Sequence, residues 1–113
     1  MLLADLAGSE RISFLDNGQD KVMQKETIGI NKSLMILRKV ITALASKDKR
    51  GDVGLRHVPY RESKLTALLK QSLGGSTYCL MIACLSPSDA NYEENLSTLQ
   101  YATKTGNIKN KVV

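Results

Sequence analysis

Aromatic side chains are scarce in this chain: one Phe, four Tyr and no Trp among 113 residues. Proteins that grip single-stranded nucleic acid stack bases on aromatic platforms, so a nucleic-acid binder has only the net charge behind it. Histidine occurs once, at His57, and one imidazole without partners at ligand spacing makes no zinc site. Cysteine is limited to Cys79 and Cys84, both inside one apolar run. An odd separation on a strand points two side chains to opposite faces, so these thiols do not pair. They read as small buried residues of a reduced, intracellular protein. The longest apolar run, Tyr78 to Leu85, is too short to span a bilayer. The opening MLLADLAGSE has no basic leader and reaches Asp5 at once, which argues against a signal peptide.

What is present fits one small soluble domain, with 42% hydrophobic and 24% charged residues. A formal charge of +5 suits an acidic partner surface without identifying it. The most organised stretch is Ile30–Ala45. Ile30, Leu34, Leu37, Ile41 and Leu44 recur at steps of four and three, the spacing of one helical face. Met35, Ile36 and Val40 widen that stripe, and Lys32, Arg38 and Lys39 form a basic flank. Thr27 or Asn31 serves as the cap. A rigid bar with a basic outer side and an ordinary core helix with a solvated back both satisfy this pattern.

Two further helices are expected. One runs from Ser63 to Leu73 with Leu65, Leu68, Leu69 and Leu73 inward, stopped by Gly74-Gly75. The other runs from Asn91 to about Thr105, with Asn91 and Glu94 at capping-box spacing and Tyr92, Leu96, Leu99 and Ala102 inward. Leu2–Asp5 reads as the end of a buried strand, and Thr77–Leu85 as a strand covered on both faces. Ile12–Gln24 is a loop around the Asp16-Asn17-Gly18 turn, becoming helical near Lys25, and Ser46–Arg56 is a polar loop. The tail IKNKVV is basic and exposed. The order strand, helix, helix, strand, helix is α/β, yet two strands cannot make a sheet with two covered faces. The chain borrows strands, or it is a piece of a larger domain.

The hexamer Asp5-Leu6-Ala7-Gly8-Ser9-Glu10 carries the clearest chemistry. A carboxylate at the end of a buried strand is where α/β nucleotide enzymes hold a metal. A glycine three residues on lets a backbone N–H approach a phosphate with no Cβ in the way. Taken alone, Asp-x-x-Gly is equally a plain turn at a strand end.

With its neighbours, the hexamer resembles the kinesin motor domain. DLAGSER at Asp5–Arg11 is similar to the family's switch II motif, and INKSL at Ile30–Leu34 to the start of its relay helix. HVPYRESKLT at His57–Thr66 resembles the microtubule-facing loop and the helix after it. SLGG at Ser72–Gly75 fits the approach to the last core strand. EENLSTLQYA at Glu93–Ala102 and IKNK at Ile108–Lys111 resemble the final helix and the start of the neck linker.

The resemblance implies a partial three-layer fold of the P-loop NTPase type, with two core strands and three main helices, incomplete by itself. Residues 1–113 would be the C-terminal third of one motor domain, with 108–113 beginning the neck linker. It implies ATP and Mg²⁺ as cofactors, with Asp5 holding the metal through water and the Gly8 N–H sensing the γ-phosphate. Glu10 would pair with the switch I arginine and place the attacking water. Lys32, His57, Arg61 and Lys64 would face the microtubule, and Tyr60 would be a packing anchor. Cytoplasmic, microtubule-bound localisation follows, as does dimerisation through a stalk outside this sequence.

No G-x-x-x-x-G-K-[ST] phosphate loop occurs in the sequence, nor a switch I motif, so the chain alone is expected neither to hydrolyse ATP nor to fold cooperatively. The alternative reading is a non-catalytic kinesin-like module that binds microtubules only. Against the family pattern, Phe14-Leu15-Asp16 replaces the usual Thr-Gly in a longer loop, and Gly106 stands where a longer, charged residue is usual. Ser46–Arg56 is extended, with Lys47, Lys49 and Arg50 placed to touch acidic tubulin tails. Arg38 stands where many members have Gly, adding a microtubule contact or blocking a close approach.

Overall fold

A computed structural model describes residues 1–8, 21–46 and 57–112, with the backbone alone at residues 21–24 and 27. Ser9, Glu10, the Asp16-Asn17-Gly18 turn, the Phe14–Asp16 departure and residues 47–56, with Lys47, Lys49 and Arg50, lie outside the described residues.

The described part is built on one long helix, α1, Lys21–Ser46, of 26 residues and therefore about 39 Å in length. It starts well before the expected Ile30, so Thr27 and Asn31 sit within the helix rather than at its cap. Its buried stripe is Ile36, Leu37, Val40, Ile41 and Leu44, each at most 8% exposed. Ile30 and Met35, placed in the stripe by spacing, are about half exposed. Spacing shows which side is apolar, and burial further requires something packed there.

Helix α2, Lys64–Leu68, is shorter than the expected Ser63–Leu73. It is framed by 3₁₀ turns at Tyr60–Glu62 and Leu69–Gln71. The tighter second turn rotates the apolar positions, so Leu73 is buried at 5% while Leu68 is 72% exposed. Gly74 ends the segment with φ of +76°, the left-handed conformation that glycine adopts freely. Helix α3, Tyr92–Gly106, matches its expected span, after a 3₁₀ turn at Asp89–Asn91. Its cap does not follow expectation: the Asn91 amide donates to Ser86 Oγ at 2.9 Å, and no side-chain cap bond forms. No α3 residue is buried, and Tyr92, Leu96 and Leu99 are exposed.

Helix α1 packs against both α2 and α3. Leu37, Val40, Ile41, Leu44 and Leu73 form the core, with Val58, Tyr60, Leu65, Leu69, Tyr101 and Ile108 packed around it.

The two expected strands are not found: the described residues contain helices only. A strand exists through its ladder, and neither apolar segment has one here. Tyr78, Leu80 and Ile82 are 80–88% exposed, Leu2 and Leu3 are exposed too, and Cys79 and Cys84 are exposed free thiols, not buried residues. The accessible surface is 9608 Å², against about 6100 Å² for a compact monomer of 12.4 kDa. No helix among the described residues is long and apolar enough to cross a membrane.

Candidate functional site: a cationic surface beside a docked tail

The segment His57–Thr66 is held by a small hydrogen-bond knot. Ser63, extended at φ −143°, caps α2 by accepting from the Thr66 N–H at 3.1 Å. Thr66 is fully buried, and its hydroxyl lies 2.8 Å from the Tyr60 carbonyl and 2.9 Å from Ser63 Oγ. The Tyr60 hydroxyl in turn donates to the Leu73 carbonyl. Burial raises the Tyr60 phenol above its usual pKa, so it stays a donor at neutral pH. Tyr60 is thus the packing anchor expected of it, with the Lys70 ammonium 5.9 Å from its ring centroid.

This knot fixes the backbone from which two cations project. Arg61 lies in the 3₁₀ turn and Lys64 opens α2, and both are exposed, as is His57 just upstream. On α1, Lys32 is exposed as well. Lys25, Lys32 and Lys39 are all exposed and recur every seven residues, so they share one flank of the helix. Lys25 extends this flank by about two turns beyond Lys32, at the same seven-residue spacing. Helix α1, the Tyr60–Glu62 turn and α2 all pack on one another. Lys32, Arg61 and Lys64 therefore sit on three mutually supporting elements. Packing of this kind fixes the backbone positions from which these cations project, so a partner surface has only the side chains left to order.

Arg38 does not belong to that flank. Adjacent helical residues are about 100° apart, and Arg38 reaches across to α3 instead. Its Nη2 donates to Ser97 Oγ at 3.4 Å, and its guanidinium carbon lies 5.8 Å from the Tyr101 ring centroid. Burial pushes the Tyr101 phenol up to about 12, while Arg38 pulls it the other way.

The tail differs most from expectation. Ile108 and Asn110 are half-buried rather than exposed, and Ile108 packs against the core. Asn110 Oδ1 accepts from the Gly74 N–H at 2.8 Å, and Nδ2 donates to the Ser72 carbonyl at 2.7 Å and the Thr77 carbonyl at 2.6 Å. The Lys111 N–H adds a bond to the Gly75 carbonyl at 2.9 Å. The chain after α3 is thereby tied to the turn after α2. A lone Asn in a basic tail gave no sequence signal of this.

Asp5 and Gly8 are exposed on segment 1–8, which forms neither helix nor strand. No cluster of three or more His, Cys, Asp or Glu groups suited to a metal occurs among the described residues. One exposed carboxylate does not make an all-protein cage. It does fit Mg²⁺, which keeps most of its waters and takes few protein ligands.

Comparison with known proteins fits this geometry. The kinesin motor domain model matches residues 1–108. Kinesin-like protein KIN-4C of Arabidopsis thaliana is 54% identical over 98% of this chain, which spans 8% of that protein. Human kinesin-like protein KIF21A is 52% identical over 96% of the chain and 6% of its own length. Among solved structures, a KIF14 dimer, two heads bound, with AMP-PNP and in complex with a microtubule, superposes with a TM-score of 0.82. It is 49% identical, and the match covers 96% of this chain and 28% of that one. This chain spans less than a tenth of these two curated relatives. With a match along nearly all its length, it belongs to the kinesin motor domain family.

Proposed function

We propose that this chain is the switch II and microtubule-binding part of an ATP-driven motor that moves along microtubules, the C-terminal portion of its motor domain. The observation that carries this reading is the exposure of Lys32, Arg61 and Lys64 on three mutually packed elements, in a chain 49% identical to a microtubule-bound motor. An acidic track would meet fixed cations there, with His57 at their edge. The exposed apolar run and the excess accessible surface support a larger motor fold that covers them.

In this motor, Asp5 would hold Mg²⁺ through water, Gly8 would present its N–H to the γ-phosphate, and Glu10 would place the attacking water. Mg²⁺ supplies charge neutralisation at the phosphate oxygens when bound. The phosphate loop and switch I would come from sequence outside these 113 residues, and the chain alone would be inactive. Helix α1 would pass the nucleotide state to the Arg61–Lys64 surface and to the docked tail, which would begin the neck linker at 108–113. Such switching requires a stiff element whose packing has two arrangements. The motor would act in the cytoplasm on the microtubule cytoskeleton, with dimerisation through a stalk outside this sequence.

Microtubule pelleting of the full-length protein tests this, with and without ATP. Reversing both Arg61→Glu and Lys64→Glu should weaken binding by about tenfold or more and flatten its salt dependence. Unchanged binding would remove the proposed surface. Binding that ignores ATP would instead point to a non-catalytic module.

A further inference from the structure

Helix α3 packs along α1. None of its residues is buried, and its apolar side chains Tyr92, Leu96 and Leu99 are exposed. At its start, Asn95 exchanges two hydrogen bonds with the Ser86 backbone, Oδ1 accepting at 3.0 Å and Nδ2 donating at 2.7 Å. That tie reaches only the preceding segment. At its end, Ile108 and Asn110 fasten the tail. Between these ends, Tyr101 packs against the core, and Arg38 crosses from α1 to Ser97 and Tyr101. Ser97 and Tyr101 are four residues apart and so stacked on one face of α3, which lets a single guanidinium touch both. A lysine ammonium has no fork with which to do this.

We propose that Arg38 is a positioning residue, a clasp that holds α3 against α1 and so keeps closed the seat on which the tail docks. The tail's apolar anchor, Ile108, packs against a core made largely by Leu37, Val40, Ile41 and Leu44 of α1. Ile108 follows α3 directly, its N–H donating to the Thr105 carbonyl at 3.1 Å. Moving α3 away from α1 therefore lifts Ile108 from its seat and strains the Asn110 bonds beyond it. The inference concerns contacts inside this chain and stands apart from the microtubule reading.

Hydrogen exchange on the full-length protein, read by mass spectrometry, tests it. Peptides spanning 72–77 and 107–112 contain the Gly74 and Lys111 amides of the docked tail. Arg38→Ala keeps a strong helix former in α1 and removes the clasp. Exchange in those peptides should quicken by about two- to fivefold, the range for losing a cation over a partly exposed ring. A peptide spanning 39–46, which leaves out the substituted position, should be unaltered. Tyr101→Phe keeps the ring face and should change little, whereas Tyr101→Leu should reproduce the effect. Arg38→Ala should then add less to Tyr101→Leu than to the wild type, because the ring contact is already gone and only the Ser97 bond is left to lose. Arg38→Lys should fall between Arg38 and Ala. Unchanged tail exchange, fully additive effects, or equal quickening in the 39–46 peptide would overturn the proposal, the last because it would mean general loosening of α1.

Discussion

Replacing Asn110 tests how the tail is held. Alanine there deletes three hydrogen bonds of 2.6–2.8 Å, to the Gly74 N–H and to the Ser72 and Thr77 carbonyls. Each such bond contributes about 0.5–1.5 kcal/mol net. Thr77 and Gly74 are exposed and can turn to water, which puts the total near the lower end, about 2 kcal/mol. Ordering tail backbone costs about 1–2 kcal/mol per residue, so docking is finely balanced and this loss matters. A change of about 2 kcal/mol shifts the docked-to-free ratio roughly thirtyfold. Asn110→Asp separates chemistry from shape. It keeps the acceptor for Gly74, loses both donors, and turns a negative charge toward two carbonyl oxygens, so it should undock the tail more than alanine does. The assay is amide exchange at Lys111, whose bond to the Gly75 carbonyl reports docking without involving a side chain. With intrinsic rates corrected, protection should fall in the order Asn, Ala, Asp. Wild-type protection in the Asp variant would mean that Asn110 merely fills space, and the reasoning would fail.

Three other perturbations have definite signs. Gly74→Ala imposes a side chain at φ +76° and puts its Cβ 2.8 Å from Leu44 Cδ2 and 3.1 Å from the Tyr60 hydroxyl. About 2–3 kcal/mol of lost stability in denaturant melts is expected, and less than about 0.5 kcal/mol would contradict the packing. Thr66→Val preserves shape but strips the hydroxyl from the Tyr60 carbonyl and Ser63, costing about 1–3 kcal/mol, whereas Thr66→Ser should cost only about 1 kcal/mol for a methyl. If valine proves the milder of the two in the same melts, the knot does not hold this segment. For Tyr101, burial pushes the folded pKa up to about 12, above the usual phenol value of 10.0. Its contribution to stability is therefore complete below pH 10 and is lost as pH rises through about 12. Thermal melts compared with Tyr101→Phe should show this excess fall in the wild type alone, and parallel curves would refute it.

The elements legible in the sequence are those whose signals are local. Helix α1 was visible from the three-and-four spacing of Leu34, Leu37, Ile41 and Leu44, and the stop at Gly74 from its lack of a side chain. Arg61 and Lys64, placed on an outward surface by the resemblance alone, are exposed. What failed was everything decided at a distance. Asn91 and Glu94 have capping-box spacing, yet the Asn91 amide turned to Ser86. Lys39 and Arg38 are neighbours in sequence and were grouped together, but Arg38 faces α3 across an interface that periodicity cannot name. Asn110 looked like one polar residue in a basic tail and proved to be its main fastener.

The apolar run from Tyr78 to Leu85 failed in a more instructive way. Its pattern has no alternation, which is how strands covered on both faces are written. Even-numbered Tyr78, Leu80 and Ile82 and odd-numbered Cys79 and Leu85 are nevertheless all exposed. A strand with one wet face would show only one of these two sets. Both faces are therefore composed for burial and both are bare, as are Leu2 and Leu3. Local propensity and composition agree with each other here, and only the tertiary partners are lacking. The described helices have part of their core within the chain, where α1 packs with Leu73 and the docked Ile108, while Leu68 of α2 and Tyr92 and Leu99 of α3 are exposed. Under the motor reading this divides the labour: the contacts of Arg38 and Asn110 join residues within this chain, while the apolar run waits on the nucleotide-binding layer. A contact that depends on that layer, such as Asp5 with Mg²⁺, is then placed by the whole motor, whereas both partners of the Arg38 clasp lie in this chain.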